Sequence, residues 1–220
     1  MRIAILTWYD DNAERYGHNC WSINKIYCEK HNYTLIKSSK KVYKDRSAHW
    51  ERFPLMLTFI ENYDYIMWVD ADAFFYIDSP PLEPLIKEYN KDIIFSEDCG
   101  KTEDNPPYIN SGIIILKNTE RVINIIKKWA YSKELMIKYS KIDIDFWIED
   151  QALIRGFYKD DIDNIQDISI IAPYLKLQHF FKEDVGVDDP KPYIYHLAGR
   201  DFETRVNETQ EYIKKSILSP

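Results

Sequence analysis

The chain alternates short apolar runs with longer stretches whose apolar residues recur at helical spacing. "IAILTW" (3–8) is short and wholly apolar enough for a buried strand. Residues 12–31 follow with helical periodicity, and Trp21, Ile23, Ile26 and Tyr27 fall roughly on one face. "YTLIKS" (33–38) predicts a second strand and "KKVYKDR" a charged loop. Ser47 is placed to cap the helix "AHWERFPLMLTFIENY". Pro54 should kink or split that helix, because its ring removes a donor and clashes with the preceding turn. "YDYIMWV" (63–69) predicts a third strand, "LEPLIKEYN" a short helix and "KDIIFS" (91–96) a strand. "YINSGIIILKN" (108–118) predicts another strand, followed by the helix "TERVINIIKKWAYS" with Thr119 or Asn118 as its cap. A further helix is expected over about 144–157. The C-terminal third reads as irregular, with short strands near 168–171 and 193–197.

Strand–helix–strand alternation of this kind predicts an α/β fold with a mainly parallel central sheet flanked by helices. With 220 residues, 45% of them hydrophobic, residues 1–220 are expected to form a single domain around one sizeable core. The proline-containing pieces "SPPLEP" and "DDPKPY" read as loops within it.

Charge and composition narrow the partners. The net charge is −7 and no basic block is present, which excludes a duplex nucleic acid as partner. An acidic chain can still bind a small anion, but only beside a local cation, either a side chain or a metal. None of the six glycines forms GxGxxG or GxxxxGK, so a phosphate would not be cradled by a glycine-rich turn. Cys20, Cys28 and Cys99 form no CxxC pair and read as reduced thiols. The opening "MRIAILTWYD" turns polar too soon for a signal peptide, and no apolar run reaches the length of a membrane span. The expected setting is therefore soluble and cytoplasmic, whether viral or as a domain excised from a longer protein. The 17 Tyr and 6 Trp suit a core, and also a site that stacks on flat ligands.

The chemistry concentrates where "YIMWV" delivers Asp70 and Asp72 to the carboxyl end of a strand, the usual place for ligands of such sheets. In an extended segment, residues two apart point the same way, so both carboxylates can face one point. Two like charges there favour a proton or a cation between them. Carboxylate oxygens suit Mg²⁺ or Mn²⁺. A DxD by itself also occurs in ordinary surface loops. Three further pieces bear on it. Asn110, Ser111 and Gly112 open a strand, either as an ordinary turn or with Asn110 bonding a sugar hydroxyl. Glu149, Asp150 and Gln151 either use the dipole of a helix they begin or grip a sugar. His196 closes a late strand in "YIYHLAG", as a structural imidazole or a metal ligand.

Taken in order, Thr7-Trp8-Tyr9, "HWERFPLMLTFIENYDYIMWVDADAFF", "INSGIIILKN", "EDQALI" and "HLAG" resemble the metal-dependent nucleotide-sugar glycosyltransferases of the GT-A fold. The likeness is to the family of yeast galactomannan α-galactosyltransferases and plant xyloglucan xylosyltransferases, and to short viral glycosyltransferase domains. It covers about residues 3–200. The resemblance implies a UDP-sugar donor, a glycan or other hydroxyl acceptor, and Mn²⁺ (or Mg²⁺) as cofactor. It also implies residue roles. Asp72 and His196 would ligate the metal, and Asp70 the metal or the ribose. Thr7, Trp8 and Tyr9 would meet the nucleotide, with a ring stacked on uracil. His49 and Arg52 would lie beside the donor, with Arg52 at the diphosphate. Asn110, Ser111, Glu149, Asp150 and Gln151 would surround the sugar and the reaction centre. Phe74 and Phe75 read as core residues that anchor the DxD segment. Two other activities use the same residue types: a metal-dependent nucleotide-sugar phosphohydrolase, and a nucleotide-sugar binding module without turnover.

Overall fold

Ile3–Trp8 forms the strand β1, and all six of its residues are buried. In the computed structural model, which describes residues 1–99, 108–140, 149–182, 185 and 191–216, β1 lies inside a six-stranded sheet. The helix α1 (Glu14–His31) leads to β2 (Thr34–Ser38). The helix α2 (Arg52–Phe59) leads to β3 (Tyr65–Val69). After β4 (Ala73–Phe75) and α3 (Leu82–Tyr89) come β5 (Ile93–Glu97) and β6 (Ile109–Lys117). The helices α4 (Glu120–Tyr131), α5 (Lys133–Ser140), α6 (Glu149–Lys159) and α7 (Ile165–Ile168) precede β7 (Ser169–Ala172). The chain continues through β8 (Gln178–His179), β9 (Ile194–His196) and α8 (Phe202–Ser216).

The large sheet has the order β2-β1-β3-β6-β5-β7. β6 pairs antiparallel with both β3 and β5, while the other pairings are parallel. Five strands thus run one way and β6 runs against them, which is the mainly parallel sheet expected. A second sheet, β4-β9-β8, sits at its edge. Strand alternation divides the core. Ile66 and Trp68 of β3 pack with Phe53, Met56, Trp129 and Phe157 on one face, under α2, α4 and α6. Met67 and Val69 pack with Tyr27, Phe75, Leu85 and Ile86 on the other, under α1 and α3.

Several elements differ from expectation in instructive ways. The helix after Ser47 does break, but at Arg52 rather than Pro54. A 3-10 turn over Ala48–Glu51 hands over to α2, so Pro54 falls in the first helical turn, where a missing N–H costs least. Ser47 makes no side-chain cap; its carbonyl accepts from the Trp50 N–H at 3.2 Å. Thr119 does cap α4, accepting from Val122 N. The buried stripe of α1 is Gly17, Cys20, Ile23, Asn24, Tyr27 and Cys28, with Trp21 and Ile26 at its margin. The C-terminal third, expected to be irregular, ends in α8, whose apolar stripe is thin: only Val206 and Thr209 of it are fully buried. The expected helix start at 144–148 lies outside the described residues. Among the described residues, no helix is long and apolar enough to cross a membrane.

One buried polar residue ties α1 to the segment that follows the two aspartates. Asn24 is 1% exposed. Its Nδ2 donates to the Ala73 carbonyl at 3.1 Å, and its Oδ1 accepts from the Phe75 N–H at 2.8 Å. It thereby completes the edge of β4 that β9 does not cover. Asn24→Ala is expected to lower unfolding free energy by about 2–3 kcal/mol, since it strands a buried donor and a buried acceptor. Urea titration of the two proteins measures this, and a loss under about half a kcal/mol would show that β4 does not depend on the Asn24 amide.

Candidate active site

β3 ends at Val69, and the chain turns sharply. Asp70 N donates to the Gly112 carbonyl at 2.9 Å, and Ala73 N donates back to the Asp70 carbonyl at 3.0 Å. The two aspartates therefore lie on a tight turn between β3 and β4, not along an extended strand as their spacing suggested. They converge nonetheless. Pairing of β4 with β9 sets Ala73 opposite His196. Asp70, Asp72 and His196 then each offer one ligand atom, all within 4.8 Å of one another. His196 Nε2 is 3.4 Å from Asp72 Oδ1 and 3.8 Å from Asp70 Oδ2.

Gly112 makes this approach possible. Asn-Ser-Gly lies within β6 rather than ahead of it, and Gly112 faces the cluster. A Cβ there would come within 2.3 Å of His196 Cε1 and 2.8 Å of Asp70 Oδ2. The glycine is needed for space.

Arg52 organises the carboxylates from beneath. Its side chain is 2% exposed. One guanidinium nitrogen is 3.3 Å from Asp70 Oδ1, which also accepts the Trp68 indole N–H at 2.6 Å. A second donates to the Ser111 carbonyl. Nε donates to the His49 carbonyl at 3.0 Å and lies 3.0 Å from Asp150 Oδ2. The guanidinium also sits 5.2 Å from the Trp68 ring centre, within cation–π range. Expected at a diphosphate, Arg52 is instead enclosed, bridging Asp70 to Asp150. With Oδ1 of Asp70 held this way, Oδ2 is left toward His196.

Asp150 occupies the first turn of α6 and is fully buried. Neither of its carboxylate oxygens has a hydrogen-bond partner among the described residues, because the nearby Nε–H of Arg52 points at His49. Burial pushes its carboxyl above the ordinary value; Arg52 and His49 oppose the rise and Asp70 adds to it. Asp72 goes the other way. Burial alone would raise it, but the His196 and Arg205 contacts outweigh burial and bring it down to about 2. Arg205, on α8, is 3.0 Å from Asp72 Oδ2 and 5.2 Å from the ring of Tyr16. Neither Arg205 nor Tyr16 carried a signal in the sequence: each is one basic or aromatic residue among many, and α8 was not foreseen.

The remaining expected residues divide. Ser111 N and Oγ both donate to Gln151 Oε1, at 2.8 and 3.2 Å. Asn110 Oδ1 accepts from Gly112 N at 2.9 Å. These three therefore join the cluster around Gly112. His49 is exposed on the 3-10 turn, joined to the cluster through its carbonyl. Thr7 is buried at the end of β1. The rings expected to stack on a base are internal. Trp8 is 7% exposed, with its indole N–H on the Lys40 carbonyl. Tyr9 is 2% exposed, pressed against Gly17 and covered by Lys37. Tyr9 packs between Gly17 of α1 and Lys37 of β2, and Trp8 lies in the core cluster with Tyr43 and Trp50, so a stacking role does not follow from their placement. Glu149 opens α6, and its side chain lies outside what is described.

A mixed sheet with a DxD turn at its carboxyl edge and a late histidine brought beside it is the arrangement of a GT-A sugar-nucleotide transferase. The family model described as nucleotide-diphospho-sugar transferase matches residues 13–205, and the chain belongs to that family. Solved structures agree on the fold. A glycosyltransferase involved in glycosylation of the major capsid of PBCV-1 aligns with TM-score 0.73 and 14% identity, over 96% of this chain and 100% of that one. The galactosyltransferase LgtC, in complex with donor and acceptor sugar analogues, aligns with TM-score 0.59 and 15% identity, over 99% and 97%. Mouse xyloside xylosyltransferase 1 aligns with TM-score 0.53 and 9% identity, over 89% and 96%. No curated protein matches the chain.

Two outcomes test the site as built. Gly112→Ala is expected to part His196 from Asp70 in a crystal structure and to cost about 1–3 kcal/mol, because a 2%-exposed ring cannot yield freely. An unmoved ring at unchanged stability would contradict the crowding. The second concerns pH. The folded state holds the Asp150 proton more tightly than the unfolded chain, whose carboxyl titrates near 3.8. Wild-type stability thus carries an ionisation penalty that is absent below that value and grows as pH rises. Relative to wild type, Asp150→Asn should gain stability as pH rises above about 4, read by urea unfolding. A shift the other way would mean that Arg52 outweighs burial.

Proposed function

We propose that the protein transfers a hexose, deoxyhexose or pentose from a UDP-sugar to a glycan or other hydroxyl acceptor, with Mn²⁺ or Mg²⁺ held by Asp70, Asp72 and His196. The observation that carries this is the convergence of three ligand atoms within 4.8 Å beside Gly112, where a side chain would fill the space. Two carboxylate oxygens and an imidazole nitrogen are a donor set that these cations accept. When bound, the cation would neutralise charge that grows on the diphosphate as the sugar leaves.

The chain's own residues divide the remaining work. Arg52 takes one oxygen of Asp70 and Arg205 one of Asp72, and the other oxygens, turned toward His196, present a negative face. A divalent cation would reverse that sign and suit a diphosphate. This is how an acidic protein can bind such a donor without a glycine-rich loop. We assign Arg52 to holding Asp70 and Asp150 in place. Asp150 has buried oxygens without hydrogen-bond partners, which suits sugar hydroxyls that would supply them. Gln151, its carbonyl held by Ser111, lies beside it, and with Glu149 and Asn110 completes the proposed reaction centre. Thr7, Trp8 and Tyr9 bring the end of β1 to the nucleotide, through backbone rather than rings. His49 lies at the rim. The reduced thiols Cys20 and Cys28 suit a reducing, cytoplasmic setting, and one domain over 1–220 is the organisation we propose.

A screen of UDP- and GDP-sugars for Mn²⁺-dependent binding and turnover tests the reading, with Asp72→Asn as control. UDP-linked donors are expected to bind with metal, and the mutant to lose that dependence. Unchanged Mn²⁺-dependent binding in Asp72→Asn would sink the metal assignment. A transferase cleaves donor slowly until acceptor is added; a phosphohydrolase cleaves it quickly without one; a binding module does neither.

A further inference from the structure

We infer that Gln178 is a positioning residue for His196, fixing the imidazole so that Nε2 is the nitrogen presented to the cation. The inference rests on the reading that Asp70, Asp72 and His196 hold that cation. Gln178 is 1% exposed on β8, beside β9. Its Oε1 lies 2.9 Å from His196 Nδ1. Its Nε2 donates to the Glu97 carbonyl, at the end of β5, at 3.1 Å.

The logic is one of donors and acceptors. A backbone carbonyl only accepts, so the end of the amide that meets Glu97 must be NH₂. Turning the amide over would set its oxygen against the Glu97 oxygen. The end that meets His196 is therefore Oε1, which also only accepts. Nδ1 must then carry a proton. In the neutral ring the lone pair falls on Nε2, which faces Asp72 Oδ1 and Asp70 Oδ2. The ring has little freedom to escape this setting. Gly112 lies against its Cε1 side and Phe180 packs at 5.3 Å between ring centres. The chain Glu97–Gln178–His196 also ties the small sheet to the large one. A ligand on the edge sheet is thus held in register with aspartates that extend from the central sheet. Partners that orient a ligating histidine in this way typically govern metal affinity 10–100-fold.

Isothermal titration of the full chain with Mn²⁺ alone tests this, comparing wild type, Gln178→Leu, Gln178→Glu and His196→Ala. Gln178→Leu is expected to weaken Mn²⁺ binding by about 10–100-fold. Gln178→Glu keeps an acceptor for Nδ1 but sets a second oxygen against the Glu97 carbonyl, so it too should weaken binding; wild-type affinity in folded Gln178→Leu would overturn the inference. If His196→Ala binds as tightly as wild type, the cation reading fails and the inference with it. If His196→Ala is weakened but folded Gln178→Leu is not, the inference fails while the cation reading stands. Should Gln178→Leu not fold, the unmutated protein still decides. Nitrogen-15 NMR of His196 is expected to show a protonated Nδ1, and a bare Nδ1 would overturn the proposal.

Discussion

A single buried guanidinium makes the rest of the site tenable. Asp150 is fully enclosed, and Asp70 lies close to it across Arg52. A carboxylate taken out of water costs several kcal/mol unless a counter-charge repays it. Arg52 sits within 3.3 Å of both. Lysine would not serve the same way, since a point charge cannot reach Asp70, the Ser111 carbonyl and the His49 carbonyl together, whereas a planar fork can. The handover from the 3-10 turn to α2 at this residue aims the side chain inward, and Trp68 supplies a flat wall for it. Removing the guanidinium would leave buried negative charge with no remedy but protonation.

The same arrangement sets the three carboxylates in different surroundings. Asp150 has burial in excess, and its carboxyl rises. Asp72 meets both His196 and Arg205, and its carboxyl falls to about 2. Asp70 gives one oxygen to Arg52 and Trp68 and keeps the other toward His196. Each acid is thus differentiated by its contacts rather than by residue type, a common sign of a site built for chemistry. On the proposed reading, Asp72 is held ionised for a cation and Asp150 is kept dry for the sugar.

Much of this was legible before the fold was known, and the pattern of what was not is physical. Strands with uninterrupted apolar runs, such as "IAILTW" and "GIIIL", could hardly be anything else in a buried sheet. Thr119 was readable because a cap acts through its immediate neighbours. The DxD and the late histidine stood out as chemistry at strand ends. Arg52 was found, but its task was not, since the sequence cannot say that Asp150, about a hundred positions away, will close over it. Trp8 and Tyr9 invited stacking on a ligand, yet Gly17 and Lys37 cover Tyr9 from segments whose positions only the fold supplies. Arg205 and Gln178 were invisible for a related reason. A polar helix with a thin apolar stripe and a two-residue strand leave almost no local pattern.

What those two residues share is their place in the C-terminal segment, and this bears on how the site is stabilised. His196, Gln178 and Arg205 all belong to the small sheet or to α8, while Gly112 belongs to the central sheet and Asp70 directly follows its strand β3. The cluster is therefore a joint between two parts of the fold. With no cation, Arg205 already spans it through Asp72 at 3.0 Å, and Gln178 through the Glu97 carbonyl at 3.1 Å. A divalent ion bound across the joint would reinforce that attachment, adding about 2.7 kcal/mol at a hundredfold excess over its dissociation constant. The C-terminal segment is thus more than a cover for hydrophobic surface. Its docking brings His196 to Asp70 and Asp72, and on the proposed reading a cation bound there would in turn hold the segment down. Thermodynamic linkage makes those two statements one.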